Sequence, residues 1–416
     1  MYIKRKVREL MQKVAEKHGY TMQKIEDTVE NKLGTYSLIT NGQYVPFDEE
    51  AFAKRDENEY VVNWVIPPLG PGSGGHLDIF RAIGFLTEMG ITNRVYTCGG
   101  NENIPEYALK ETVKEYYGID LGNKNEIHAN FRDMRHADAV IATSWFTAYV
   151  VDKFDNALTK FYFVQDFEPY FYPVGAEYCF AENTYKMGFR GITAGGWLAQ
   201  KLHDEYGMET MGFHFSYERE LYQPRKKKDQ VKRVFYYARP YTERRAFELG
   251  ILALEQLAKK VPELEVVFAG QKLVGYEFGF RYTDMGILKL EQLCDVYSQC
   301  DMCLVLSMTN LSLLPMEIMA SGSVVVSNKG VNNEWLLNES NAIMVDSTPD
   351  AIANEMAYYF EHPELLEEKR NNGFACVEQF TWKDEICKVY EFMVKSIDSD
   401  VKNKETILKM RSEKGK

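Results

Sequence analysis

The sequence predicts an α/β protein built from two Rossmann-like, doubly wound domains that face each other across a cleft. Short apolar runs such as VVNWVIP, FYFVQ and SVVVSN are typical of buried parallel strands. Segments with helical spacing of apolar residues alternate with these runs in two successive halves of the chain, and one charged linker, PRKKKDQVK, joins the halves. The length of 416 residues suits two or three domains.

The order of the elements divides the chain into five regions. We expect a helical extension over residues 1–58, a first Rossmann-like domain over 59–224, a second over 225–380, a helix over 381–399 that crosses back to the first domain, and a polar, mobile basic tail over 400–416. The linker precedes the first strand of the second domain. Two successive halves joined by one linker fit two Rossmann-like domains that face each other.

Charge is distributed unevenly along the chain. Residues 1–18 and 401–416 each contain six basic and two acidic side chains, whereas the whole chain has a net charge of −12, which argues against a nucleic-acid-coating protein. One face of a helix in residues 1–35 carries Ile3, Val7, Leu10, Met11 and Val14. This helix either packs on the body or touches anionic lipid headgroups. Without a signal peptide or a membrane-spanning apolar run, we expect a cytoplasmic protein, with contact at the inner membrane face left open.

A glycine-rich turn, LGPGSGGH, follows the first predicted strand. Gly74 and Gly75 let the backbone come close to a ligand, and the helix that starts behind them favours an anion. His76 adjoins the turn and is either a structural residue at the helix start or a contact to the ligand. No Gly-Lys-Ser follows, so the turn is not a phosphate-binding P-loop.

An aromatic segment, QDFEPYFYPVG, follows the strand FYFVQ. It carries Asp166 and Glu168 among phenylalanines and tyrosines. A sugar ring stacks on aromatic side chains while carboxylates hold its hydroxyl groups, so this composition favours a carbohydrate contact. The alternative is a packed aromatic loop without a ligand.

Basic residues follow the predicted strands of the second domain. Arg239 closes VFYYAR, Lys272 comes after LEVVFAG, and Lys289 precedes a helix start in GILKLEQL. A guanidinium at a strand end is suited to two-pronged binding of phosphate. A surface arginine without a ligand is the alternative reading of Arg239.

The stretch CDMCLVLSMTNLSLLPMEIMASGSVVVSN reads as strand, loop, short helix and strand. Ligands bind beyond the carboxyl ends of such strands, which puts Thr309, Asn310 and Leu311 at a ligand. Glu317 lies one turn into the helix and is either a partly exposed acid or a carboxylate that bonds a pair of sugar hydroxyls. The seven cysteines are expected to be reduced, and Cys300 and Cys303 lack the second pair that a metal site needs.

The motif LPMEIMASGSVVVSN, followed by KGVNNEWL, resembles the nucleotide-sugar signature of family 4 retaining glycosyltransferases, which have the GT-B fold. QDFEPYFYPVG resembles a block of bacterial dTDP-rhamnose-using rhamnosyltransferases of surface polysaccharide synthesis. The resemblance covers roughly residues 60–397. It implies that Glu317 binds ribose, and Thr309 stands where the family often has a second glutamate.

The resemblance implies transfer of a sugar, with rhamnose as our expectation, from a dTDP or UDP donor to a growing, lipid-linked glycan. No metal or other cofactor is expected. Arg239 and Lys289 would neutralise the leaving diphosphate, with Lys289 preferred over Lys272 and with Asp166 as a further candidate for catalysis. The acceptor would be bordered by Gly74, Gly75, His76 and Glu168. A nucleotide-sugar 2-epimerase and a non-catalytic partner subunit that binds donor or glycan stay open as alternatives, as does the oligomeric state.

Overall fold

The computed structural model describes residues 29–414. Two parallel sheets, each covered by helices, form two domains, as the alternation of strands and helices predicts. The predicted helix face with Ile3 and Val14 lies outside the described residues. Within the described chain, no helix combines the length and apolar character that a bilayer crossing requires.

The first domain contains a seven-stranded sheet in the order β3-β2-β1-β4-β5-β6-β7. Its strands are β1 Val61–Ile66, β2 Thr92–Thr97, β3 Glu126–His128, β4 Ala139–Ala142, β5 Thr159–Val164, β6 Arg190–Ala194 and β7 Thr210–Phe213. The central strands β1, β4 and β5 are mostly apolar and almost wholly buried because helices cover both faces of the sheet. The strand order reverses between β1 and β4, so a crevice opens beyond their carboxyl ends.

In the described part of this domain and its extension, the helices are α1 Val29–Asn41, α2 Glu49–Ala53, α3 Gly74–Glu88, α4 Glu106–Tyr117, α5 Trp145–Asp152, α6 Ala176–Thr184 and α7 Gly196–Tyr206. Local sequence explains where they start. Ser73 caps α3 by accepting a hydrogen bond from the His76 amide, and Ser144 caps α5 in a reciprocal arrangement with Thr147.

The second domain contains a six-stranded sheet in the order β10-β9-β8-β11-β12-β13. Its strands are β8 Arg233–Tyr237, β9 Glu265–Ala269, β10 Tyr282–Asp284, β11 Met302–Leu304, β12 Val324–Asn328 and β13 Ile343–Val345. Its helices are α8 Phe247–Lys260, α9 Leu290–Ser298, α10 Leu314–Ala320, α11 Val331–Glu334, α12 Pro349–Glu361 and α13 Pro363–Glu378. The strand order reverses between β8 and β11, at the loops that carry the predicted site residues.

A long helix, α14 Trp382–Lys402, returns to the first domain and packs on α3, β5 and β7. Asp400 on this helix accepts hydrogen bonds from two nitrogens of Arg190, at 2.6 and 2.9 Å, and from the hydroxyl of Thr159 at 2.9 Å. The bidentate pair fixes the end of the helix against the first sheet. The crossover is therefore present, and its helix extends beyond the predicted end at residue 399.

The prediction of a mobile tail over residues 400–416 is wrong for its described part. After α14 the chain forms another helix, α15 Lys404–Lys414. Arg411 donates hydrogen bonds to the backbone carbonyls of Asp155, Ala157 and Leu158 in the first domain. The guanidinium of Arg411 holds this helix in place because it donates to three carbonyl groups that lie outside the strands and helices and need hydrogen-bond donors.

Candidate functional site

The carboxyl ends of the two sheets meet at Asp166, which follows β5. Its Oδ1 atom accepts a hydrogen bond from the backbone amide of Asn310 at 2.8 Å, and its Oδ2 atom accepts one from the Thr309 hydroxyl at 2.8 Å. Burial raises the pKa of Asp166, while the Asn310 amide and the nearby arginines act in the opposite direction. The predicted residues Asp166, Thr309 and Asn310 are thus brought together by direct bonds between the domains.

Asn310 is the centre of this interdomain contact and is almost fully buried. Its side-chain amide donates to the carbonyl of Gln165 at 3.0 Å and to that of Ala194 at 2.7 Å, at the ends of β5 and β6. Its Oδ1 atom accepts from the Trp335 indole at 3.1 Å and from the Leu311 amide at 3.0 Å. Every polar group of this side chain is therefore used inside the protein.

The glycine-rich turn adjoins the same contact. Gly74 and Gly75 begin α3, and the side-chain amide of Gln165 donates to the carbonyl of Gly75 at 3.1 Å. A Cβ atom at position 75 would lie 3.3 Å from that amide nitrogen, so glycine permits the close approach. The turn is connected to Asp166 through Gln165, a residue that the sequence did not single out.

The His76 side chain is used within the first domain. One ring nitrogen, Nδ1, lies 2.8 Å from the Ser73 hydroxyl, and the other, Nε2, lies 3.2 Å from the carbonyl of Pro67. Burial lowers the pKa of His76. Of its two predicted alternatives, these contacts support the structural one, which ties the glycine-rich turn to the start of α3.

The Glu168 side chain points into the first domain. One oxygen accepts from the backbone amide of Trp145 at 2.8 Å, and the other accepts from the Tyr162 hydroxyl at 2.6 Å. Burial raises the pKa of Glu168 to about 7. Because Trp145 is the first residue of α5, the carboxylate of Glu168 stabilises the start of that helix, and both of its oxygens accept hydrogen bonds inside the first domain.

Three arginines share the loop between β8 and α8. Arg239 is the predicted one, and its Nε atom donates to the Tyr237 hydroxyl at 2.9 Å. Arg244 and Arg245 were missed, although the letters ERRAFELG place two basic residues directly before an apolar helical run. Burial lowers the pKa of Arg245, and the charges of Arg244 and Arg239 lower it further while Asp166 raises it. The guanidinium groups are therefore electrostatic neighbours.

Residues outside this loop contact Arg244 and Arg245. Arg245 donates to the Ser307 hydroxyl, after β11, at 2.9 Å. The Nε atom of Arg244 lies 3.6 Å from the Oδ2 atom of Asp166, and the guanidinium carbon lies 4.2 Å from the centre of the Phe171 ring. With Arg239, the cluster comprises three cations and one carboxylate and carries an excess of about two positive charges at neutral pH.

The two predicted lysines lie in loops at the same edge of the second sheet. The ammonium group of Lys272 is 3.2 Å from Oδ2 of Asp284 and 3.3 Å from its carbonyl oxygen, so an acid already neutralises it. Lys289 is exposed at the start of α9, where its backbone amide donates to the Gln292 side chain at 3.0 Å. Neither lysine is bonded to the arginine cluster.

Glu317 lies on the short helix α10, all of whose residues are buried. Its side chain is only 7% exposed, and burial raises its pKa to about 7, whereas Tyr222 and Arg81 act to lower it. Tyr222 belongs to the linker between the domains and Arg81 to α3. A ribose contact at Glu317 stays a prediction.

Within residues 29–414, no group of three or more histidine, cysteine, aspartate or glutamate side chains could hold a metal ion. Cys300 and Cys303 are buried free thiols, and burial raises the pKa of both. The arginine cluster and the exposed Lys289 are positive groups that this edge of the second domain can offer to an anion.

Two sequence families match the chain in order. Residues 91–194 match the WsaF N-terminal domain, and residues 232–357 match the WsaF C-terminal domain. Together the two matches cover more than half of the 416 residues. Both sheets therefore contain segments that belong to one two-domain family.

Individual relatives agree with this assignment. The O-antigen biosynthesis protein RfbC of Myxococcus xanthus is 34% identical over 258 residues, which is 61% of this chain but 20% of that protein. The chain thus spans about a fifth of the length of this curated relative.

Among solved structures, sucrose-phosphate synthase from Thermosynechococcus elongatus has a TM-score of 0.63 at 13% identity. Anabaena Alr3699/HepE in complex with UDP and glucose has a TM-score of 0.60 at 14% identity. Each comparison covers 82% of this chain and 100% of the other. The fold is GT-B, as the sequence predicted.

Proposed function

Because this chain belongs to the WsaF family of GT-B glycosyltransferases, we propose that it transfers a sugar from a nucleoside diphosphate donor to a glycan of a surface polysaccharide. The relative RfbC, described as an O-antigen biosynthesis protein, supports this class of product. The finer parts of the proposal are a dTDP-rhamnose donor, retention of configuration, a lipid-linked acceptor and catalysis without a metal ion. They rest on the resemblance of the aromatic segment and the helix α10 motif to rhamnosyltransferases.

One observation carries the proposal: Arg239, Arg244 and Arg245 share one loop at the carboxyl edge of the second sheet, and the guanidinium groups of Arg244 and Arg245 face the carboxylate of Asp166. The excess of about two positive charges matches the two negative charges of a diphosphate that is esterified at both ends. Sugar transfer builds negative charge on the leaving diphosphate, and fixed cations that await that charge lower the barrier. Arg239, Arg244 and Arg245 are therefore assigned to the donor diphosphate.

The remaining contacts to the nucleotide-sugar donor are proposed from where the residues lie in the second domain. Lys289, exposed at the start of α9, is proposed as a further cation for the donor. Lys272 is a weaker candidate because Asp284 is already its partner. Glu317 is proposed to accept hydrogen bonds from the ribose, and the backbone of Thr309, Asn310 and Leu311 to border the nucleotide. HepE, with UDP in its crystal structure, is consistent with a uridine or thymidine donor for this fold.

The acceptor side of the cleft is proposed to be the first domain. Gly74 and Gly75 leave backbone free of side chains beside Gln165, and the aromatic segment exposes Tyr170 and Val174 nearby in sequence. The basic chain ends would bring the enzyme to anionic lipid on the cytoplasmic side, where a lipid-linked acceptor is found. No nucleic acid and no other cofactor enters this proposal.

The central test removes one guanidinium at a time. Arg239→Ala and Arg245→Ala should each lower kcat/KM for transfer by about a hundredfold or more, because a charge that stabilises the leaving group is lost. Arg281→Ala is the matched control, since Arg281 is 67% exposed in the same domain. Transfer at near-normal rates in both cluster variants, with the control unchanged, would remove the diphosphate assignment.

Donor identity is tested by thermal shift with a panel of nucleotide sugars, since a ligand that binds only the folded chain raises its Tm. Incubation of the stabilising donor with and without a glycan acceptor then separates the reactions. A new glycosidic bond supports transfer, and the anomeric NMR signal of the product reports retention or inversion. An epimer formed without acceptor would indicate a 2-epimerase, and binding without any reaction would indicate a partner subunit.

A further inference from the structure

Two of the hydrogen bonds that join the two domains converge on one buried carboxylate, that of Asp166. Oδ1 of Asp166 accepts from the amide of Asn310 and from its own neighbour, the amide of Phe167, both at 2.8 Å. Oδ2 accepts from the Thr309 hydroxyl at 2.8 Å. Two of these three donors belong to the second domain. Hydrogen bonds to a charged acceptor are about twice as strong as neutral ones, so this contact is a strong point of the interface.

The same carboxylate faces the arginine cluster. Arg244 has its Nε atom 3.6 Å from Oδ2, and among the described residues that buried nitrogen has no hydrogen-bond partner. Arg245, held by Ser307, is within electrostatic reach of the carboxylate. Asp166 therefore supplies, from the first domain, the negative charge that faces the cations of the second.

These contacts argue against Asp166 as the group that takes a proton from the acceptor. A carboxylate offers about four lone-pair positions, and three are occupied by protein donors. A base must reach the acceptor hydroxyl with a free oxygen. The bonded carboxylate is better placed to hold the surrounding groups than to react.

We propose that Asp166 is a positioning residue that latches the two domains together and orients Arg244 beside Arg245 for the donor diphosphate. This inference rests on the proposed function and goes beyond it. Opening of the cleft must break the bonds to Thr309 and Asn310, and closing it brings the carboxylate back to Arg244. Closure of the domains and completion of the cation cluster are therefore one event.

The latch predicts coupling between the domains that can be measured without a substrate. Asp166→Ala and Thr309→Val remove the bond from opposite sides. In urea denaturation, the unfolding constant of the double variant should differ by about tenfold from the value expected if the two single effects were independent. The reason is that each substitution removes the same interaction. Small-angle X-ray scattering should show a larger radius of gyration for both single variants. Asp204→Asn, an exposed acid on α7, is the control and should change neither quantity.

Activity then separates a latch from a base. Asp166→Asn keeps an oxygen that can accept from the Asn310 amide, so it should retain transfer at least about tenfold better than Asp166→Ala. A catalytic base would be lost equally in both variants. Equal loss of kcat in both variants, with an unchanged radius of gyration and additive unfolding effects, would overturn the proposal.

The scattering and denaturation measurements also keep this proposal distinct from the proposed function. If the unmodified chain transfers no sugar from any donor, the coupling between Asp166 and Thr309 still tests the latch. If transfer occurs but the two substitutions are independent, the latch fails while the function stands.

Discussion

Gly195 and Trp335 form a second contact between the domains, and its energy can be worked out from the geometry. Gly195 precedes α7 with φ 85° and ψ 156°, a region that is almost reserved for glycine. A Cβ atom at this position would lie 2.7 Å from the Cε2 atom of the Trp335 ring. Gly195→Ala therefore combines backbone strain with a steric clash across the interface.

The two contributions have different sizes. Backbone strain at Gly195 costs about 1–3 kcal/mol, and overpacking against the indole adds about 1–3 kcal/mol. Gly207→Ala offers a comparison because Gly207 also has a positive φ, 67°, but nothing lies within 4 Å of its missing Cβ. That substitution should cost only about 1–2 kcal/mol.

Urea denaturation of four chains measures the clash by itself. In the Trp335→Ala background the cost of Gly195→Ala should fall by about 1–3 kcal/mol, because the ring that it strikes is gone. The unmodified chain, the two single variants and the double variant complete the cycle. An equal cost of Gly195→Ala in both backgrounds would refute the clash and the close approach of the domains at this point.

Two further predictions concern helix α14. Burial alone would raise the pKa of Glu385, but hydrogen bonds that include those from His214 lower it to about 2. The ionised carboxylate should therefore contribute about 3 kcal/mol to the free energy of unfolding above pH 4.5, and this contribution should be lost as the pH falls through 2. Acid titration of the unfolding free energy should show this loss in the unmodified chain and in Glu391→Gln, but a flatter profile in Glu385→Gln. Asp400→Asn breaks the bidentate pair with Arg190 and should lower the free energy of unfolding, measured by urea denaturation, by about 2 kcal/mol. An unchanged free energy of unfolding would mean that this pair does not hold helix α14 against the first sheet.

Much of the fold was predictable because its signals are local. Buried parallel strands require near-continuous apolar runs, and the runs around Val62, Val234 and Val325 are such strands. Arg239 was found because a basic residue directly follows one of these runs. Arg244 and Arg245 were missed because two basic residues before an apolar helix are equally typical of a solvent-exposed helix start.

The polar side chains were harder to assign because their partners lie far away in the sequence. His76 and Glu168 lie in segments whose composition is typical of a binding site, yet the hydrogen bonds of both side chains lie inside the first domain. The mobile tail was wrongly predicted for a related reason. Nothing near Arg411 in the sequence indicates the three carbonyl groups, more than 250 residues earlier, that hold it.

By itself, the sequence determined the alternation of strands and helices, the two domains and the basic residue at the end of β8. These features depend on apolar periodicity within about ten residues. Only the tertiary structure decided that Asp166 meets Asn310, which is 144 residues away, and that the carboxylate lies among the arginines of the other domain. The physical reason is that hydrogen bonds between domains leave no periodic trace in the sequence and form only when the two sheets pack edge to edge.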